Sequence, residues 1–154
     1  GPPDNVLMSY GFEQSDPDGW RARGTATLTI TDEQSHSGES SLKVTGRTAN
    51  WHGAEYDVRS LVTAGDAYAV SVWARPASGS PSSTLRLTRE VQGCSVEQFV
   101  WLDSAENATS SAWVELSGTL SIPASCAPSK LLVYVESTDA TASYYVDDTS
   151  MSPL

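Results

Sequence analysis

Histidine and cysteine are scarce in this chain, with two of each among 154 residues, and most metal and thiol chemistry is thereby excluded. Cys94 and Cys126 are too few for a metal cluster and too far apart for a CxxC redox pair. His36 and His52 have no further Cys or His at the spacing zinc requires. Basic residues are also few: 9 Lys+Arg against 19 Asp+Glu give a formal charge of -10. Counterion release from phosphates has no cationic surface to act on, so nucleic acid and anionic membranes are poor partners. No segment approaches the roughly 20 consecutive apolar residues of a membrane helix. The N-terminus lacks the basic and apolar regions of an export signal, as expected if any such signal has been removed. Gly-rich phosphate loops and a Ser/His/Asp arrangement are missing too.

What remains is one domain's worth of sequence. Residues 1–4 read as a processing remnant or linker, and 5–154 as a single domain. Period-two alternation recurs throughout, and no window sustains apolar residues at helical spacing. Thr27-Leu28-Thr29-Ile30-Thr31 alternates strictly, as do Tyr68, Val70 and Val72 against Ala69, Ser71 and Trp73, and Leu85 and Leu87 against Arg86 and Thr88. Further strands are expected near 6–12, 39–46, 55–60, 97–103, 112–120, 130–137 and 143–151. Turn chemistry at His36-Ser37-Gly38, Thr63-Ala64-Gly65-Asp66, Pro76 to Pro81 and Pro123 to Pro128 separates them. About ten short strands predict an all-β, two-sheet antiparallel sandwich of the jelly-roll kind. For Cys94 and Cys126 a disulfide is the economical reading, with buried free thiols as the alternative. With abundant Ser, Thr and Gly and an acidic surface, it suggests an extracellular, monomeric protein. Asn107-Ala108-Thr109 is a glycosylation sequon.

Alternation also sorts side chains onto sheet faces. In 131–136, Leu131, Val133 and Val135 form an apolar set, which leaves Tyr134 and Glu136 together on the opposite face. In 97–102, Val100 and Leu102 point inward, and Glu97, Phe99 and Trp101 outward. If both strands share a sheet, aromatic rings stand there among acids and amides. On the residues alone, core packing is the favoured reading for Phe99 and Trp101. A second concentration is Gly46-Arg47-Thr48-Ala49-Asn50-Trp51-His52-Gly53, a loop or bulged strand. There Trp51 either plugs the sandwich or offers its face to a sugar ring, with Arg23, Arg47, Asn50 and His52 supplying directional hydrogen bonds.

Gly19-Trp20, Arg23-Gly24, His36-Ser37-Gly38, Ser41-Leu42-Lys43-Val44, Arg47 to Gly53, Trp113 before Gly118-Thr119, and Tyr145-Val146-Asp147-Asp148 together resemble a family 22 carbohydrate-binding module over nearly the whole chain. The Arg-Thr-Ala-Asn-Trp-His-Gly block is the most specific part of the resemblance. The resemblance implies a jelly roll that binds β-1,4-xylan in a cleft on one sheet face, covalently linked to a secreted xylanase or glucanase. By position it assigns Arg23, Trp51, Tyr134 and Glu136 to the cleft, and it places Phe99 where the family usually has a tyrosine. Mixed-linkage β-glucan is the alternative ligand. The resemblance also implies a structural calcium ion held by Glu13 and Asp147, with carbonyls near His36-Ser37-Gly38. Two other classes stay open: a small jelly-roll glycosidase pairing Glu136 with Glu97, and an adhesive sandwich in which Trp51 and Tyr134 merely pack.

Overall fold

A computed structural model of the chain describes residues 6–14, 17 and 19–154; the remnant expected at 1–4 lies outside them. Among the described residues, eleven antiparallel strands form two sheets. The first sheet runs β3 (Thr27–Thr31), β4 (Ser41–Thr45), β11 (Tyr144–Pro153), β6 (Ala67–Pro76) and β9 (Val114–Ser121), with β1 (Met8–Tyr10) beside the second half of β11. The second runs β2 (Trp20–Arg23), β5 (Gly53–Asp57), β10 (Lys130–Ser137), β7 (Ser83–Gln92) and β8 (Phe99–Ala108).

The core lies between the sheets and follows from the alternation. Val70, Val72 and Ala74 of β6, Leu85, Leu87 and Val91 of β7, and Leu131, Val133 and Val135 of β10 are all buried in it. Deleting one such leucine side chain costs about 2–5 kcal/mol, because a close-packed core only partly collapses around the hole. Tyr144 of β11 ties the layers together, accepting a hydrogen bond from Ala54 N at 3.2 Å and donating to Val135 O at 2.7 Å. The chain at Gly53 passes so close that an added Cβ would sit 2.2 Å from both the Tyr144 hydroxyl and Val135 O, so only glycine fits there. Cys94 and Cys126 are bonded, closing a 32-residue separation across the strand ends. On the chain-entropy account this loop contributes about 3–4 kcal/mol.

The expected strands are present, with boundaries shifted by a few residues, and β10 spans 130–137 as read. Strand β2 was not expected. Its four residues Trp-Arg-Ala-Arg carry two guanidinium groups and no readable period, and it exists because its backbone pairs with β5, Trp20 opposite Tyr56 and Arg23 opposite Gly53.

Candidate functional site

The register of the second sheet brings three strands together at one level: Glu55 of β5 and Thr88 of β7 flank Tyr134 of β10. Trp101 of β8 stands opposite Thr88, next to a bulge where the ladder shifts between Leu87 and Thr88. Tyr134 therefore points away from the core, on the face opposite Val133 and Val135. Phe99, two residues before Trp101, faces the same way. The loop between β4 and β5 rises at one end of this face and carries Trp51. Arg23, Trp51, Phe99 and Tyr134 line a groove of about 500 Å³.

The rings are not equally open. Trp51 is 50% exposed and Phe99 48%, whereas Tyr134 is only 3% exposed. Tyr134 is not enclosed between the sheets; the Arg23 guanidinium lies flat over it, 3.8 Å from the ring centroid. Tyr134 thus forms the floor of the groove, and the indole and the phenyl ring form its open walls. Burial, followed by the charge of Glu136, pushes the Tyr134 phenol up to about 12, so it stays a neutral donor.

Arg23 holds the charges of the groove together. Its Nη1 contacts Glu90 Oε1 at 2.8 Å and Glu55 Oε1 at 3.4 Å, and its Nε donates to Trp51 O at 3.1 Å. Glu90 is buried and also accepts from Gln92 Nε2 at 2.7 Å, with Lys130 Nζ at 3.5 Å. Burial alone would raise the Glu90 carboxyl, but the hydrogen bonds from Arg23 and Gln92 and the charges of Arg23 and Lys130 outweigh it, holding the group below its ordinary 4.5. Arg21 of β2 also pairs with Glu55. Glu136, half-buried on the face of Tyr134, accepts from Thr88 Oγ1 at 2.6 Å.

This arrangement can stack flat, C–H-rich rings and hydrogen-bond their hydroxyls, while Glu55 and Glu90 are committed to ion pairs. Glu97 and Glu136 do not form a glycosidase pair. Glu136 stands opposite Arg86 and Phe99 opposite Glu90, four residues apart along β7, which is roughly 13 Å at strand rise. Glu97 lies beyond Phe99, whereas a retaining pair needs about 5–5.5 Å.

Residues 4–142 match the family described as a carbohydrate binding domain. The CBM22-1 xylan-binding domain of Paenibacillus barcinonensis Xyn10C superposes with a TM-score of 0.88 and 34% identity, over 96% of this chain and 94% of that one. The chain belongs to the family 22 carbohydrate-binding modules. Endo-1,4-beta-xylanase C of P. barcinonensis is 34% identical over 145 residues, 94% of this module but 13% of that protein. Endo-1,4-beta-xylanase A of Thermotoga maritima is 33% identical over 144 residues, 93% of the module and 13% of that protein. The module thus spans about an eighth of the curated relatives it matches.

Three expected ligand contacts are corrected by the geometry. His52 is 6% exposed, under the edge of Trp51, with ring centroids 4.3 Å apart. The backbone N–H groups of Thr48 and Thr25 both point at its Nδ1, at 3.1 and 3.4 Å, so it is a loop-organising acceptor rather than a groove residue. The chain turns so tightly over it that a Cβ on Gly24, at φ +67°, would lie 2.1 Å from the ring. Arg47 is buried and donates to the carbonyls of His52, Asp139, Ala142, Ala49, Asn50 and Ser137, binding the Trp51 loop to the loop between β10 and β11. Asn50 is exposed at the tip of that loop and does not line the groove.

Glu13 and Asp147, expected at calcium, do reach one loop. Asp147 Oδ2 accepts from His36 N at 2.8 Å and Ser37 N at 3.3 Å, and Glu13 accepts from Glu39 N and Ser40 N at 2.7 and 2.9 Å. Among the described residues no group of three His, Cys, Asp or Glu gathers as a metal site, so backbone oxygens would have to complete any shell. The donors nonetheless suit calcium, being hard carboxylate oxygens with lone pairs to spare. Asp147 is fully buried, and burial pushes its carboxyl up to about 6.

Sequence reasoning missed Glu55, Glu90 and the Arg23 ion pairs. Extending the alternation of Arg86 and Thr88 by one step would have placed Glu90 on the groove face. Its pairing with Arg23, 67 residues away, has no local signal.

Proposed function

We propose that this module binds β-1,4-xylan, laying the polymer along the groove of the second sheet and thereby holding an attached glycoside hydrolase on its substrate outside the cell. The observation that carries this reading is the pair of open rings, Trp51 and Phe99, lining one groove with the Arg23-capped floor of Tyr134. Pyranose rings present C–H faces to such aromatics, while the Arg23 edge, the Tyr134 hydroxyl and the free oxygen of Glu136 are placed for equatorial hydroxyls. The ionic groups within the groove neutralise one another, which suits an uncharged chain. Xylose lacks the hydroxymethyl of glucose, so a narrow groove favours xylan on steric grounds. Where Phe99 stands in place of a tyrosine, stacking is retained and a hydrogen bond of about 1 kcal/mol is absent.

Calcium, held by Glu13 and Asp147 with oxygens of the 36–40 loop, would neutralise the buried Asp147 and clasp β11 to the segment after β1. Its role is structural, on a part of the fold distinct from the groove. Among the described residues no helix is long and apolar enough to cross a membrane. Extracellular placement is supported by the disulfide, which persists in oxidising compartments.

Affinity electrophoresis through xylan, barley β-glucan and cellulose gels tests the reading. Retardation is expected in xylan. Retardation only in β-glucan reassigns the ligand, and free migration in all three refutes sugar binding.

A further inference from the structure

One pair on the groove face takes no part in the groove. Arg86 of β7 lies with its guanidinium 3.8 Å from the centroid of Trp101, whose indole is 60% exposed. Neither residue lines the groove. Arg21, Arg23 and Lys130, the other cations paired on this sheet, each meet a carboxylate. Arg86 has no ion pair and no hydrogen bond among the described residues, and its Nε is buried without a partner. Glu136 stands directly across the ladder, but its Oε1 is taken by Thr88.

A guanidinium stacked on an aromatic face keeps its in-plane N–H edge free, and that edge matches the two oxygens of a carboxylate. Stacking also fixes its plane in advance, so little rotamer freedom is lost on binding. Arg86 sits diagonally from Tyr134, a separation of roughly 7–8 Å in a sheet. A single sugar branching from a chain bound in the groove spans such a gap, whereas the chain itself passes beside it. We infer that Arg86, held flat by Trp101, is a subsite for the carboxylate of a uronic acid branch on the bound polymer. The inference rests on the xylan reading and adds to it a preference for acid-substituted chains that the groove itself does not supply.

The test is titration calorimetry of the whole chain and of Arg86→Gln and Arg86→Lys with three probes: a linear xylooligosaccharide, the same oligosaccharide carrying one glucuronic acid branch, and its carboxyl-reduced form. The wild type is expected to bind the acid-branched probe about tenfold more tightly than the reduced one, the size of one charge-assisted hydrogen-bonded pair. Arg86→Gln is expected to lose that difference and to keep the affinity for the linear probe, which also shows that it folds. Arg86→Lys, with charge but no fork, is expected to retain part of the difference. Equal affinity of the wild type for the branched and reduced probes overturns the inference, as does an equal loss by Arg86→Gln on all three. Failure of the wild type to bind even the linear probe sinks the xylan reading first.

Discussion

Arg23→Ala is the most demanding test of how this groove is built. The change removes the cation 2.8 Å from Glu90 Oε1, the cap 3.8 Å above Tyr134 and the donor to Trp51 O. Glu90 is then a buried carboxylate left with Gln92 and the more distant Gln98 and Lys130, whereas Glu55 keeps Arg21. Breaking a buried pair costs about 3–5 kcal/mol, and the remaining partners put this case near 3. The sign with pH follows. In the wild type the Glu90 carboxyl is held below 4.5, so its contribution is present above that pH and lost as pH falls through the lower folded value. In the variant burial dominates and raises the group, so protonation relieves it and the gap to wild type narrows as pH falls from 7 towards 4. Urea denaturation at several pH values measures this. Arg23→Met with Glu90→Gln, which removes both charges, is expected to recover most of the stability while xylan binding stays at least tenfold weaker. A variant Arg23→Ala within 0.5 kcal/mol of wild type at pH 7, or a gap that widens on acidification, would show that Arg23 does not hold the groove's charges in place.

Trp51→Ala, which removes a half-exposed ring, is expected to abolish retardation in a xylan gel and to shift the melting temperature little; unchanged retardation would refute the groove. Arg47→Met removes the side-chain donor to six carbonyls, of which Ala49 O and Asn50 O keep a backbone N–H, and should destabilise by about 3 kcal/mol, measured by urea denaturation. Chelation should lower the melting temperature in calorimetry without abolishing xylan binding at ambient temperature; an unchanged melting point would remove calcium from the account. With the Tyr134 phenol near 12 and Glu90 below 4.5, binding measured by calorimetry should be flat between pH 8 and 10, above the range in which a histidine changes charge, and a titration inside that window would contradict the assignment.

Much of the site could be read from the chain, and the failures have a common form. The facing of Tyr134, Glu136, Phe99 and Trp101 followed from side-chain alternation within one strand. The core reading for Phe99 and Trp101 was wrong because β8 is an edge strand with its outer face uncovered. Strand β2, the burial of His52 and the carbonyl cage around Arg47 were invisible because each depends on a partner elsewhere in the chain. In the Arg47 to Gly53 block, Arg, Asn, Trp and His are chemically equivalent candidates for a ligand. Only Trp51 faces the groove, because Arg47 and His52 are consumed in shaping the loop that lifts it.

Residue order by itself determined the strands other than β2 and which side of the alternating ones was wet, since a strand's period of two is a property of its own backbone. It determined as well the excess of acidic over basic residues, a formal charge of -10. The tertiary structure decided which side chains became neighbours across strands: Arg23 over Tyr134 and against Glu90, and Arg86 on Trp101. Those contacts come from register, sheet order and loop closure, which couple residues far apart in the chain, and local periodicity carries no information about them.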